Sequence, residues 1–450
     1  MKFYDRENEV AQLRFMQERS FTDHSRMTVV TGRRRIGKTS LMLEACKNSP
    51  TVYLFVTRDN EAVLCENFSQ RIRSSLNIAV PPGLTRFRDV FRLLMDAGKE
   101  RSFNLILDEF QDFQYINPAV FSDVQELWDL NKDGSKVNLL LSGSVYTMMR
   151  KIFRDYKEPL FGRADAMLNL HPFGTGAMKA ILGDCHPGYT NDDLLALYAF
   201  TGGVPKYVNL LLDVGACTRE AMIDRMIRED SLFVEEGRRI LIEEFGKEYG
   251  TYFSILGAIA SGTDTQPSIQ AVLGNKSAGG LLQRLIEDYG IISRKRPIFS
   301  GEGTQKVRFE ISDLFFRFWF RYMHKHRTLV EIGNYDYLKR IVTEDYETYS
   351  GEVLERYFRT KLMEGQQCRD IGGWWDPKGY TDSKGHHQQC ELDIVTVDVS
   401  DKVLSIYEVK RNPDKYKKSL LKEKTDHFLK KEKNAGGYKV KLRLLSLDDM

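Results

Sequence analysis

Eight residues set the terms for the whole chain. Gly32-Arg33-Arg34-Arg35-Ile36-Gly37-Lys38-Thr39 keep the spacing G-x-x-x-x-G-K-T. The β-branched, apolar run Met27–Thr31 precedes them and a helical pattern, Ser40–Ala45, follows, so the motif sits where a strand passes into a helix. The spacing has a chemical reason. Glycines let successive backbone N–H groups turn toward one anion, and a helix N-terminus adds the positive end of its dipole. On that chemistry Lys38 is expected to reach the β- and γ-phosphates of a nucleotide, and Thr39 to hold Mg²⁺.

The surrounding pattern predicts an α/β fold with a parallel sheet. A helix over residues 7–18 comes first. Strands are expected at Thr51–Val56, Asn104–Glu109, Val137–Ser144 and Met167–Leu170, with helices over Asn60–Leu76, Phe87–Ala97 and Val120–Leu130 between them. Strands alternating with helices place helices on both faces of the sheet. After Pro172 the pattern becomes helical: Leu194–Phe200 and Val204–Leu212 flank Thr201-Gly202-Gly203, and Ser231–Tyr249 follows. Three more helices, Tyr252–Ala260, Ser268–Leu273 and Ala278–Tyr289, lead to strands Ile291–Arg294 and Val307–Ile311, the order of a winged helix. Its Arg294, Lys295 and Arg296 suit phosphate contacts, and internal packing is the equal alternative. The last segment reads as a helix from Tyr349 to Met363 and a Gly/Trp stretch, Ile371–Trp375. Strands Glu391–Val399 and Lys402–Val409, a basic helix Tyr416–Lys431 and a strand Tyr438–Leu447 complete it.

Length alone allows roughly two to four domains. A formal net charge of +3 gives no global argument for a nucleic-acid partner. Six scattered cysteines without a C-x-x-C pair, no signal-peptide core and no run of membrane-spanning length point to a cytoplasmic protein without a membrane partner.

Several residues carry candidate chemistry. Leu105-Ile106-Leu107-Asp108-Glu109 delivers carboxylates to the C-terminal end of a buried strand, where open α/β sheets bind ligands. Asp108 is expected on Mg²⁺ and Glu109 on the attacking water. Ser144, ending the next strand, either senses the γ-phosphate or is a plain turn serine. Arg163, in the loop before the fifth strand, either reaches a phosphate of its own or a neighbouring subunit or forms a surface salt bridge.

Together these phrases resemble the STAND-type ATPases of archaea and bacteria, relatives of AAA+ proteins. The resemblance rests on Gly32 through Leu41, Leu107–Gln111, Leu141–Ser144, Tyr4-x-Arg6-Glu7-x-Glu9, Leu160–Arg163 and Gly202–Pro205, and on the aromatic run Asp313–Phe320. It implies ATP and Mg²⁺ as cofactors and makes Arg33, Arg34, Arg35, Ile36 and Ser40 part of the nucleotide loop. It also puts Pro205 in a helical lid over the nucleotide and allows a homo-oligomer. The implied domains are an ATPase core at 1–175, the lid at 176–248, a winged helix at 249–330 and a last domain at 335–450.

In that last domain Asp393 lies on one strand and Glu408-Val409-Lys410 ends the next. Residues two apart on a strand share a face, so Glu408 and Lys410 project together. An Asp and a Glu on neighbouring strands suit Mg²⁺, and a nearby lysine can position or activate water. This pattern resembles the PD-(D/E)xK nuclease core of the restriction-endonuclease-like fold, with Leu392-Asp393 replacing its Pro-Asp. The resemblance implies Glu355 as a further, helix-borne metal acid. Between Lys410 and Arg443 thirteen Lys/Arg face four Asp/Glu, an excess suited to a nucleic-acid backbone, DNA in preference to RNA. The expectation is an ATP-controlled nucleic-acid-processing enzyme; the alternative is a switch whose last domain binds DNA or protein without cleaving.

Overall fold

The computed structural model describes residues 4–143, 146–301, 303–382, 385–399 and 402–450. The chain divides into two compact units, Met1–Pro172 and Phe173–Met450. Ser144 lies outside the described residues. Among the described residues no helix is long and apolar enough to cross a membrane.

The first unit is built on strands β1 (Arg26–Gly32), β2 (Thr51–Phe55), β3 (Phe103–Asp108), β4 (Val137–Ser142) and β5 (Ala166–Leu170), all parallel, in the order β2-β3-β4-β1-β5. Both faces of the central strands β1, β3 and β4 are buried because successive side chains of each strand enter different layers. Leu105, Leu107, Leu139 and Leu141 join Phe87, Phe91 and Trp128 on one side. Ile106 and Leu140 join Val10, Leu13, Leu41 and Met42 on the other. The expected strands and helices of this region are present, with ends shifted by a few residues.

The second unit begins with helices. Thr175–Cys185 and Arg219–Met226 add to the expected pair, now Asn191–Thr201 and Pro205–Leu212. Between that pair the chain reverses through Gly202 and Gly203. Gly203 has φ +73°, and a Cβ there would meet the carbonyl oxygen of Phe173 at 2.5 Å, so only glycine fits the turn. Pro205 takes the first position of its helix, where its missing N–H is harmless.

Three helices, Tyr249–Ala260, Gln266–Val272 and Gly279–Glu287, then lead to the antiparallel pair β6 (Ile292–Lys295) and β7 (Arg308–Ile311). The start of the loop between these strands is buried at Pro297 and Ile298. Ile298 and Phe299 belong to the apolar cluster of the last domain, and Ile298 N donates to Gly373 O at 2.9 Å. Lys295 pairs with Glu310 at 2.9 Å.

The last domain hangs on a 30-residue helix, Tyr335–Glu364. The expected start at Tyr349 is thus too late by fourteen residues. Its first half is mostly polar, yet the buried positions Leu338, Val342, Tyr346, Tyr349, Val353 and Tyr357 keep helical spacing throughout. Strands β8 (Cys368–Thr381), β9 (His387–Asp398), β10 (Val403–Val409) and β11 (Lys439–Leu445) form a sheet in the order β11-β10-β9-β8. β10 runs antiparallel to β9 and parallel to β11, which the helix Lys418–Lys431 makes possible as a crossover. The Gly/Trp stretch is the middle of β8: Trp374 is fully buried and its indole N–H donates to Glu432 at 3.0 Å.

Candidate functional site

The phosphate loop occupies the C-terminal end of β1. Gly32 (φ +142°) and Gly37 (φ +90°) take conformations open to glycine, and a Cβ on Gly32 would lie 2.9 Å from the carbonyl of Leu170. Arg35 is also left-handed, at φ +68°. Lys38, a buried lysine, folds its ammonium onto the carbonyls of Gly32 at 2.9 Å and Arg33 at 3.1 Å. Ile36 is buried under the loop, whereas Arg33, Arg34 and Thr39 are half-buried and Ser40 is exposed.

Asp108 is the hub of this end of the sheet. Its carboxylate is 2 % exposed. One oxygen accepts from the Ser142 hydroxyl and, at 3.1 Å, from the Glu109 N–H. The other accepts from Thr39 at 2.6 Å and Tyr53 at 3.0 Å. Burial and the charge of Asp108 push the Tyr53 phenol far above its ordinary pKa, so it stays a donor. Thr39 and Asp108 thus form a close pair of hard oxygen donors, the ligand type Mg²⁺ takes. Glu109 leaves the strand at φ +55° and its carboxylate accepts from Gln111 at 2.6 Å. A left-handed glutamate directly after a hub carboxylate is the kind of backbone outlier that gathers at functional positions.

Tyr53 and Ser142 were not among the expected site residues. Ser142 carries a readable signal, a polar residue closing the all-apolar end of Leu139-Leu140-Leu141. Tyr53 carries none, because only the pairing of β2 with β3 brings it to Asp108.

Arg163 stands elsewhere. The register sets Ala166 beside Thr28, and Asp165 N donates to Met27 O at 2.8 Å, so the loop before β5 lies at the N-terminal edge of the sheet. The phosphate loop is at the opposite edge. Arg163 there holds Asp129 at 2.9 Å and the Pro159 carbonyl at 2.7 Å. The expectation that it reaches a phosphate of its own subunit is corrected: a strand of seven residues, roughly 20 Å long, separates the two edges.

A second constellation lies in the last domain. Lys410 Nζ is 2.8 Å from Glu408 Oε1 and 3.7 Å from Asp393 Oδ2. The Val409 N–H also donates to Asp393 Oδ2, at 2.8 Å. Glu408 is buried; its Oε2 has no hydrogen-bond partner and faces the Lys424 ammonium at 3.7 Å. Glu355, Asp393 and Lys410 line one cavity of about 690 Å³. Burial, then the charge of Glu408, raises the Asp393 pKa. Burial also raises that of Glu355, which pairs with Arg359. Burial works against the Lys410 ammonium, but Asp393 and Glu408 outweigh it and hold its pKa above the ordinary value. Lys410 is therefore held as a cation, able to position water or steady negative charge.

Glu355, Asp393 and Glu408 were expected as one metal-ligand set. Among the described residues no group of three or more His, Cys, Asp or Glu side chains is placed to hold a metal. The reason is local: Arg359 engages Glu355, and the Lys410 ammonium bridges the other two acids.

The residue after Lys410 ties this site to the helix Asn191–Thr201. Arg411 donates to Asp192 Oδ1 and to Ser350 Oγ, both at 2.7 Å. Arg219 donates to Asp192 Oδ2 at 2.8 Å. The two guanidinium groups each lie 5.1 Å from the buried ring of Tyr346.

A parallel sheet with a G-x-x-x-x-G-K-T loop after β1 and an acid-tipped β3 defines a P-loop ATPase core. Comparison with known proteins agrees. Residues 3–211 match an ATPase domain family predominantly from Archaea, and residues 319–424 match a family of archaeal and bacterial proteins of unknown function. The first match spans the parallel-sheet unit and the helices that follow it, and the second spans most of the last domain. It is 28% identical over 417 residues to an uncharacterised protein of Methanocaldococcus jannaschii, covering 91% of this chain and 87% of that one. A second uncharacterised protein of the same organism is 37% identical over 68 residues, 15% of this chain and 66% of its own. The Walker-type ATPase of Pyrococcus abyssi shares the fold at a TM-score of 0.55 and 20% identity, over 71% of this chain and 96% of that one.

Proposed function

We propose that the protein is a Mg²⁺-dependent, STAND-type ATP hydrolase whose nucleotide state controls a nuclease-like, nucleic-acid-processing domain at its C-terminal end. The observation that carries the reading is the Asp393–Lys410–Glu408 cluster in a chain that also bears a complete phosphate loop. In the ATPase core, Lys38, with the loop amides from Gly32 to Ser40, would bind the β- and γ-phosphates. Thr39 and Asp108 would hold Mg²⁺, which when bound neutralises phosphate charge. Glu109, held by Gln111, would orient and deprotonate the attacking water. Arg163 remains a candidate only toward the phosphate of a neighbouring subunit, a role that would require a homo-oligomer. Pro205 would shape the turn of the lid.

In the last domain Asp393 and Glu408 would face the phosphate backbone of DNA, and Lys410 would steady the charge that develops there. The basic helix Lys418–Lys431 would track the strand. One observation favours the second reading, an ATP-dependent switch that binds without cleaving: Lys410 already bridges the two acids, and among the described residues no third His, Cys, Asp or Glu joins them.

One assay separates the two. Purified protein with ATP and Mg²⁺ or Mn²⁺ is offered single- and double-stranded DNA and RNA. Cleavage that Lys410→Ala removes supports the first reading. Binding with no cut product from any substrate sinks it and leaves the switch.

A further inference from the structure

The aromatic run Asp313–Phe320 passes into a single turn of π-helix. The helix Leu314–Phe318 continues as the π-turn Trp319–His324, closed by Lys325 N donating to Phe320 O at 3.2 Å. Such turns are rare and gather at functional positions. This one has a definite geometric effect. Residues five apart lie about 140° round the axis of an α-helix, and the wider turn brings them onto one side. The rings of Trp319 and His324 therefore stack, with centroids 5.6 Å apart and planes at 27°. Phe253 stands edge-on to both, at 6.0 and 5.4 Å.

These three rings line a cavity of about 330 Å³ between the helices Leu232–Phe245, Tyr249–Ala260 and Arg327–Glu331. The indole is fixed in place. Its N–H donates to the Val234 carbonyl at 2.7 Å, and any Cβ on Gly237 would collide with the ring. Gly250, also on the wall, has no such reason to be glycine: a Cβ there would meet nothing within 4 Å. Glycine weakens a helix relative to ordinary residues, so what it preserves here is the open volume.

The charged groups of the wall are Arg238, Arg327, Glu235 and Glu331, all exposed. Burial, then the charges of Arg327 and Arg238, lowers the His324 pKa, so both cations bear on the ring-lined end of the cavity. Two guanidinium groups and two carboxylates share the lining. That balance suits a guest with one negative charge and opposes one with two.

We propose that this pocket binds a small aromatic monocarboxylate, a planar acid of one ring or two fused rings. Its ring would lie against Trp319, His324 and Phe253, where aromatic pairs gain more than their buried area. Its carboxylate would be held by Arg238 and Arg327, whose planar forks match it. Glu235 and Glu331 would turn away dianions such as phosphate esters. The volume is at the lower end of the range of ligand pockets, which sets the size limit.

The test is calorimetric titration of the full chain with indole-3-carboxylate, with its neutral carboxamide and with acetate, repeated in Lys38→Ala to disable the phosphate loop. Indole-3-carboxylate is expected to bind one per chain, about tenfold or more tightly than either control, and to bind Lys38→Ala equally well. Arg238→Ala and Arg327→Ala are each expected to weaken the carboxylate about fivefold or more and to narrow its advantage over the carboxamide, a pattern that unfolding would not give. Gly250→Leu carries a side chain into the open space from a helical position. It should abolish binding with the melting temperature unchanged or raised. Absence of binding at about 10 mM carboxylate, equal affinity for carboxylate and carboxamide, loss of binding in Lys38→Ala, or undiminished binding in both arginine variants or in Gly250→Leu would overturn the proposal.

Discussion

The two acid-centred sites surround a buried carboxylate by different means. Asp108 is surrounded by neutral donors: two hydroxyls, a phenol and a backbone N–H supply four hydrogen bonds without a single formal charge. Asp393 and Glu408 share a cation, and hydrogen-bonding support is thin; Glu408 Oε2 has none. A carboxylate held by fixed dipoles keeps its setting when one side chain moves. A pair bridged by one ammonium does not, because its removal leaves two buried carboxylates with only the Lys424 ammonium, 3.7 Å from Glu408, beside them. The first arrangement suits a site that must exchange one guest for another. The second suits a site whose charge balance is itself the thing to be switched.

The comparison can be broken at either end. The largest effect is expected from Lys38→Ala, which removes the only side-chain ammonium in the phosphate loop. ATP turnover should fall about 10²- to 10³-fold, measured as phosphate release, with the thermal melt little changed. Turnover within about threefold of wild type would deny the loop its role.

Lys410→Ala should do the reverse. Stability is expected to drop by about 3 kcal/mol, read from denaturant midpoints, while ATP turnover holds. If the midpoint does not move, the ammonium is not what balances Asp393 and Glu408.

Asp192→Asn tests whether the second site depends on its tether to the helix Asn191–Thr201. The carboxylate serves two arginines, so a loss of about 1–2 kcal/mol is expected, with faster hydrogen exchange across residues 406–415. Unaltered exchange there would mean that Arg411 holds its place without Asp192.

The smallest effect is a pH dependence. Asp393 has a raised pKa, so the native state keeps its proton to higher pH than the unfolded chain does. Between the two values the native state binds more protons, and stability falls as pH rises through the native one. Asp393→Asn removes that penalty. It should melt higher than wild type at pH 8, and the gap should close as pH is lowered toward the ordinary carboxylate range. A gap that is constant with pH would show that Asp393 is not the strained group.

The sequence by itself determined what depends on neighbours in the chain. The loop Gly32–Thr39 was legible because its function needs fixed spacing between a strand and a helix. Glu408 and Lys410 were legible as a facing pair because a strand alternates sides every residue, and their ammonium–carboxylate contact follows from that alone. Most strands and helices followed from apolar spacing in the same way; the strand β8, the helices Tyr146–Arg154, Thr175–Cys185 and Arg219–Met226, and the polar first half of the helix Tyr335–Glu364 did not. Tertiary structure decided what depends on the order of strands. Tyr53 and Ser142 meet at Asp108 because β2 and β4 flank β3, and Arg163 is carried to the far edge because β5 runs parallel to β1. Asp192 meets Arg411 across 219 positions of chain. Local periodicity fixes which way a side chain points; sheet order and helix docking, set by burial of whole faces, fix what it points at.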